Sequence, residues 1–493
     1  MGAAPPDRGL ILGELPPFDT ATVADQSETE LRRADQTPVM DVISTARDAL
    51  ATGPLCNHCL GRLVADRSFG LANDERGRAL RVAVALADDE DFESGPTDTC
   101  WVCEGECTRF DWWARQAVTA VRGYEFDTYQ VGTKVPPLLE ENDRLIREDV
   151  GLDADAGERM KSEYNREVGK RFGEEIGTTV DFERPDVLVV CDLATDEVTV
   201  TVNSAFVYGR YRKLARDIPQ TRWPCRDCNG TGRQQGDICE GCDGSGYRYD
   251  ESVEQLTAPV VADAMDGERG VFHGAGREDV DARMLGTGRP FVVEVEEPRT
   301  RTVDTDDLEA AINDFADEKV EVEDLTLATY EMVERVKELD ASKTYRMDVA
   351  FNEPVDEENF EAALSRLDDA RIEQETPQRV SHRRAAKTRV RHVYEAEGDL
   401  RDDRNAELTV HGEGGLYVKE LVSSDEGRTE PSLAGELGVG AAVEALDVLA
   451  VEGEDEPFAD PDFLRVNERD DATTDGDPAG GDEGPETADG HAE

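Results

Sequence analysis

Two copies of the pattern C-x-x-C-x-G-x-G restrict this chain more than any other feature: Cys225-Arg226-Asp227-Cys228-Asn229-Gly230-Thr231-Gly232 and Cys239-Glu240-Gly241-Cys242-Asp243-Gly244-Ser245-Gly246. Four thiolates so spaced can meet one tetrahedral ion, and the glycines let the backbone turn so that amide groups face the sulfur atoms. The spacing predicts a structural zinc knuckle at Cys225, Cys228, Cys239 and Cys242, with no open position for catalysis. Two further C-x-x-C steps, Cys56/Cys59 and Cys100/Cys103, lie farther apart. They predict a second zinc site, with His58 or Cys107 as substitute ligands and free buried thiols as the alternative. In a reducing cytosol such pairs favour metal over disulfides. Cys191, alone in a strand, reads as core.

A chain of 493 residues has room for two to four domains at roughly 150 residues each. Its 112 acidic and 54 basic residues leave a formal net charge of -58, spread too evenly to be one tail. At about 1 M salt the screening length falls to about 3 Å, so a high-salt cytoplasm removes most of the self-repulsion. A disordered acidic protein is the alternative, and the repeated apolar patterns oppose it. Acidity counts against nucleic-acid binding without excluding it, because contact can come from local basic patches, shape and stacking. No signal peptide is read at the start, and no apolar run of about 18 residues could cross a bilayer. A soluble cytoplasmic protein with no membrane partner is expected.

Along the chain, residues 1–39 read as a disordered leader and those beyond about 452 as a disordered acidic tail. Helices are expected near 155–175, 252–265, 305–317, 327–339 and 357–370. Strands are expected from Tyr124, at Val320-Glu321-Val322 and at Lys343–Phe351, with a hairpin from Pro185–Cys191 and Val198–Val202. The hairpin ends in Val207-Tyr208-Gly209-Arg210-Tyr211-Arg212-Lys213, a basic and aromatic run suited to unstacked RNA bases. A snorkelling surface strand is the competing reading. The most basic segment is Gln378-Arg379-Val380-Ser381-His382-Arg383-Arg384-Ala385-Ala386-Lys387-Thr388-Arg389-Val390-Arg391. Collecting such charge in so acidic a chain points to a phosphate backbone, with an acid-neutralising hairpin arm as the competing reading.

One loop concentrates candidate chemistry: Gly276-Arg277-Glu278-Asp279-Val280-Asp281-Ala282-Arg283-Met284-Leu285-Gly286-Thr287-Gly288-Arg289-Pro290-Phe291. It leads into a strand with Phe291, Val293 and Val295 on one face. An acid on such a loop is a catalytic candidate; the competing reading is a salt-bridged hairpin. Lys419, in a chain that prefers Arg to Lys, suggests a role for a compact charge.

These motifs, with Trp-Pro-Cys before the knuckle, Arg-Val-x-His-Arg-Arg, Tyr-Val-Lys-Glu and Gly-Arg-Thr-x-Pro, follow one another in the order of a known family. Over about residues 41–452 the chain resembles the archaeal-type tRNA pseudouridine synthases of the TΨC arm, which carry an N-terminal THUMP-containing domain. The resemblance implies an α+β fold: a zinc-containing THUMP-like α/β domain and a C-terminal domain with a mixed, mainly antiparallel sheet and flanking helices. It implies boundaries at 40–220 for the RNA-binding domain, 221–250 for the knuckle and 251–452 for the catalytic domain. The leader raises the alternative that Met40 is the true start.

The same resemblance makes Asp279 the catalytic aspartate, with Asp281 as rival by spacing. It makes Tyr345 the aromatic that stacks on the target uracil, and Lys419 the cation beside the aspartate. It places Arg277 where the nucleotide is extruded, and the apolar wall under the base within Val443–Leu449. RNA contacts are expected from Tyr211, Arg212, Arg379, Arg383, Arg384, Arg389, Tyr417 and Arg428. The implied substrate is tRNA uridine 54, with 55 beside it, and no organic cofactor or obligatory protein partner. Methyl transfer or thiolation would need a Gly-rich cofactor loop after a strand, which Gly-Arg-Glu-Asp is not. A zinc-dependent co-chaperone would need a His-Pro-Asp helix pair, which is not seen.

Overall fold

The computed structural model describes residues 41–381, 385–453 and 463–465. The expected leader, the rest of the expected tail, and Arg383 and Arg384 lie outside the described residues. The chain clusters into two compact units: residues up to Phe110 with Val135–Tyr164, and Asp111–Lys134 with the residues from Asn165 onward.

The first unit is built from helices, including Val42–Ala51, Asn57–Arg62, Asn73–Asp88 and Pro137–Asp149. Asp41 caps the first, its side chain accepting from the Ile43 and Ser44 amides. In the centre, Arg62 is fully buried between Asp143 and Glu163, each at 2.9 Å, and His58 meets Glu163 at 2.8 Å. Burial alone would raise the Glu163 carboxyl, but the His58 hydrogen bond and the Arg62 charge hold it at about 2.

The second unit starts with a small sheet of β1 (Thr128–Lys134), β2 (Thr179–Val180), β3 (Val187–Asp192) and β4 (Glu197–Val202), in the order β2-β1-β3-β4. β3 and β4 form the expected hairpin, with Val187 opposite Val202. Cys191 is fully buried in β3, as its lone apolar setting suggested.

The strands that follow are β5 (Ala205–Lys213), the short pair β6 (Arg233–Gln234) and β7 (Asp237–Ile238), β8 (Arg269–Gly274) and β9 (Arg283–Glu296). Then come β10 (Val320–Ala328), β11 (Ala341–Phe351), β12 (Ala370–Gln374), β13 (Arg389–Asp402), β14 (Asn405–Gly412), β15 (Thr429–Glu430) and β16 (Ala441–Gly453). Among the described residues, a ten-stranded sheet runs β10-β5-β9-β16-β11-β14-β13-β12-β15, with β8 on β9. Its neighbours are antiparallel except β16 and β9, which meet in parallel over Asp447↔Arg283 and Val448↔Met284. That join depends on Gly286: at φ +54 its backbone passes so close to β16 that a Cβ would stand 2.0 Å from the Leu449 carbonyl oxygen.

Several expectations shift at their edges for identifiable reasons. The helix expected at 327–339 begins at Tyr330, because Thr326, Leu327 and Ala328 pair with Tyr208, Val207 and Phe206 as the end of β10. The helix expected near 155 begins at Met160. β5, read as the end of the first domain, lies inside the ten-stranded sheet. Three residues of the expected tail are also held. The Thr329 amide donates to the Phe463 carbonyl and the Arg465 amide to the Leu327 carbonyl, both at 3.0 Å, and Arg465 pairs with Asp127 and Asp186 at 2.6 Å. Among the described residues, no helix is long and apolar enough to cross a membrane.

Candidate active site

The loop between β8 and β9 is held from beneath by buried polar side chains. Arg289 donates to the Ala275 carbonyl at 2.7 Å, and Gln220 to the Gly276 carbonyl at 2.9 Å. Lys213 donates to the carbonyls of Asp279 and Val280, both at 3.2 Å. Glu278 turns down into this layer, where it meets Arg289 at 3.0 Å, Lys213 at 3.7 Å and the Tyr211 hydroxyl at 2.9 Å. Its side chain and those of both cations are at most 1% exposed. Under them Tyr211, Phe272 and Phe291 pack with ring centroids 5.3 to 5.9 Å apart. Such aromatic pairs add about 0.5–1.5 kcal/mol each beyond area burial. Burial pushes the Lys213 ammonium down in spite of Glu278, and pushes the Tyr211 phenol well up.

Held this way, Asp279 presents its carboxylate to a cavity of about 920 Å³. Lys419, from the helix Val418–Ser423, reaches Asp279 at 3.1 Å and Asp281 at 3.0 Å. Arg379 approaches Asp279 at 3.5 Å while anchored on Glu420 at 2.6 Å. Gln374 fixes the start of that helix, accepting from the Tyr417 amide at 2.9 Å and donating to its carbonyl at 3.0 Å. Burial would raise the Asp281 carboxyl, but the hydrogen bond and charge of Lys419 bring it below the ordinary range. Tyr345 on β11 lines the same cavity, and burial pushes its phenol up to about 12. It pairs with Val448, and Met347 with Leu446, so Leu446 and Val448 form the apolar wall beside it. A carboxylate beside an ammonium, facing an aromatic ring and an apolar wall, suits nucleophilic or base chemistry on a flat ring held away from water.

Not every expected RNA contact faces this cavity. Arg277 is exposed at its edge, and Tyr417 and Arg379 line it. Tyr211 does not: it is fully buried, because its hydroxyl is the partner of Glu278, so its role is internal. Arg212 is engaged by Glu321 at 3.0 Å and Glu323 at 2.8 Å on β10, which the acidic composition made available. Arg428 pairs with Asp425 at 3.2 Å, and Arg389 donates to Thr376 at 3.1 Å. Neither lines the cavity. Glu278, Gln220, Lys213, Glu420 and Gln374 carry the site without having been singled out. One signal was present for Lys213, namely the scarcity of Lys that pointed to Lys419.

Both cysteine sets converge. The sulfur atoms of Cys56, Cys59, Cys100 and Cys103 lie within 4.8 Å of one another, as do those of Cys225, Cys228, Cys239 and Cys242. Zinc at about 2.3 Å from each of four thiolates requires sulfurs roughly 3.8 Å apart. The distances fit: 3.7 Å for Cys56–Cys103, 3.9 Å for Cys225–Cys239 and 3.8 Å for Cys228–Cys242. Amides of Gly232 and Gly246 donate to Cys228 and Cys242 at 3.3 and 3.2 Å, the role read for those glycines. Cys107 lies 4.0 Å from Cys59, and Arg62 donates to both sulfurs. Trp223, two residues before the knuckle, lines the active-site cavity.

Residues 206–452 match the family described as "Pus10, C-terminal", and residues 113–192 the "Pus10 THUMP domain, archaeal". A "tRNA pseudouridine synthase Pus10" from Halorubrum lacusprofundi is 65% identical over 426 residues, covering 86% of this chain and 100% of that protein. The chain belongs to the Pus10 family. A Pus10 protein of the same description from Pyrococcus furiosus is 38% identical over 410 residues, covering 83% of this chain and 98% of that one. A solved Cbf5-Nop10-Gar1 complex is similar at 18% identity with a TM-score of 0.27, over 41% of this chain and 47% of that one. As a Pus10 member the chain is a pseudouridine synthase, hence an isomerase, with a THUMP region and a mixed α+β architecture. Its acidity accords with the halophilic relative.

Proposed function

We propose that this Pus10 protein isomerises uridine 54, and uridine 55, in the TΨC arm of tRNA, with Asp279 as the catalytic carboxylate. The observation that carries the reading is the convergence of Asp279, Lys419 and Tyr345 on one cavity walled by Leu446 and Val448. A stacked uridine cannot reach these groups, so the nucleotide flips out and Tyr345 replaces the stacking it loses. The reaction breaks N1–C1′, turns the uracil and joins C5 to C1′, C5 losing a proton as N1 gains one; it is redox-neutral and needs no organic cofactor. Asp279 either attacks the nucleoside or removes a sugar proton, and in both routes the Lys419 ammonium lies 3.1 Å from its carboxylate.

Asp281 shares Lys419 but has a 65% exposed side chain, against 42% for Asp279, and Arg379 reaches only Asp279 among the pair. These differences favour Asp279. Arg277 aids extrusion, Tyr417 and Arg379 hold RNA at the cavity, and Arg383, Arg384, Arg389 and Arg428 contribute phosphate contacts. The eight paired cysteines hold two structural zinc ions, and the protein works in the cytoplasm. The test is mapping of pseudouridine in unmodified tRNA treated with purified protein in high salt, with no cofactor added. Product at 54 or 55 supports the reading; product elsewhere, or a requirement for a methyl donor or nucleotide, overturns it.

A further inference from the structure

The cavity has a second cationic corner, away from the aspartates. Lys343 lies on β11 two residues before Tyr345, so strand alternation turns both side chains toward the cavity, which both line. Lys419 is matched by two carboxylates. Lys343 meets no carboxylate within 4.0 Å among the described residues, and its Nζ donates to the Ala341 carbonyl at 3.3 Å. Burial, then the charges of Arg289 and Arg391, push its ammonium down to about 8, against an opposing pull from Asp340. Arg289 is charge-paired with Glu278 at 3.0 Å and donates to the Ala275 carbonyl at 2.7 Å, so its charge is already engaged.

Arg391, on β13, gives one terminal nitrogen to Glu413 at 2.8 Å, yet its Nε is buried without a partner. Between the two cations runs the Gly414-Gly415 turn. A Cβ on Gly414 would meet the Ala341 carbonyl oxygen at 2.8 Å, Asp340 Oδ1 at 3.2 Å and Lys343 Nζ at 3.6 Å, and one on Gly415, where φ is +85, would stand 3.4 Å from Arg391 Nε. The Tyr417 hydroxyl, on the same cavity wall, is also buried without a partner. The corner therefore combines two cations, orphaned donors and a backbone bare of side chains. Asp340 and Glu413 supply carboxylates here, yet neither satisfies the Arg391 Nε or the Tyr417 hydroxyl, which an anion with several oxygens, such as a phosphate, would accept from.

We propose that Lys343, Arg391 and the Gly414-Gly415 turn form a phosphodiester subsite, which holds a backbone phosphate of the substrate RNA beside the flipped nucleotide. The inference rests on the reading that the target nucleotide enters this cavity. Flipping swings the flanking phosphates toward the cavity along with the base. In so acidic a chain, a fixed cationic corner offsets the repulsion that the rest of the surface exerts on RNA.

The test is a binding cycle on the full, zinc-loaded protein at fixed salt, using a TΨC stem-loop RNA in which a single flanking linkage is a neutral methylphosphonate. Lys343→Met is expected to weaken binding about tenfold, as suits one lost charge-assisted contact. One particular methylphosphonate should weaken the wild type by a similar factor and the variant less than twofold. The salt slope of log Kd should fall by roughly 0.7 in the variant. Should Lys343→Met fail to fold, Arg391→Gln is carried through the same cycle with the same outcomes. Equal losses in wild type and variant at every flanking linkage would overturn the proposal. Because binding is read without turnover, that failure is separate from a failure of the Asp279 reading, which shows only in pseudouridine formation.

Discussion

Replacing Glu278 by Gln removes one negative charge from beneath the loop between β8 and β9 and leaves its shape almost intact. The wild-type carboxylate lies 3.0 Å from Arg289 and 3.7 Å from Lys213, all three side chains being at most 1% exposed. Breaking a buried pair from one side costs about 3–5 kcal/mol, because the remaining charge has no solvent to turn to. Arg289 cannot shed its proton, whereas Lys213, already pushed down by burial, can. This relief puts the expected loss near the lower end, about 3 kcal/mol. For a domain of 150–250 residues that corresponds to a fall in Tm of roughly 6–12 °C. Lys213 also holds the carbonyls of Asp279 and Val280, so the loop should drift once its charge partner is gone. A displacement of about 1 Å is worth around 10²-fold in kcat, with tRNA binding nearly unchanged. Urea melts at fixed high salt and single-turnover pseudouridine formation read the two effects. The double variant Glu278→Gln/Lys213→Met should lose at least about 1 kcal/mol less than the sum of the single losses. A Glu278→Gln protein within about 1 kcal/mol of wild type, or additive losses in the double variant, would mean that the buried charge layer does not hold the loop.

Two further outcomes follow from the same geometry. Asp447 is held by Arg216, Arg283 and Arg346 at 2.7 to 3.0 Å, and although burial opposes it, these partners bring its carboxyl from 3.8 down to about 2. A depressed pKa gives stability present above the unfolded value and lost as pH falls through the folded one. Wild type should therefore exceed Asp447→Asn by about 2 kcal/mol above pH 4, the gap closing toward pH 2 in denaturant melts. Metal analysis should find two zinc ions per chain, and Cys239→Ser should lose one of them with a lower Tm; unchanged metal content would remove the knuckle assignment.

The fold was legible where one period governed a long segment. The hairpin of β3 and β4 falls within two residues of its expected bounds, since alternation and an acidic turn leave few alternatives. The 327–339 helix was started too early because Leu327 and Ala328 fit a helical stripe as well as a strand end, and only pairing with β5 decides between them. In the site, the resemblance points to Asp279, Tyr345 and Lys419, and the structure brings them to one cavity. What remained hidden was the layer beneath. Tyr211 looked like an RNA platform because an aromatic between two arginines has no local mark of burial. Its partner Glu278 is 67 residues away in sequence, and no periodicity links them. Lys343 was read simply as a strand residue, although the rarity of Lys that drew attention to Lys419 applies to it as well.

The central claim is that Asp279 performs the isomerisation. The most direct measurement compares Asp279→Ala with Asp281→Ala, reading tRNA affinity and pseudouridine yield in the same zinc-loaded preparations. Asp279→Ala is expected to bind tRNA as wild type does and to form no pseudouridine, while Asp281→Ala still gives product. An active Asp279→Ala protein beside an inactive Asp281→Ala protein would contradict the claim.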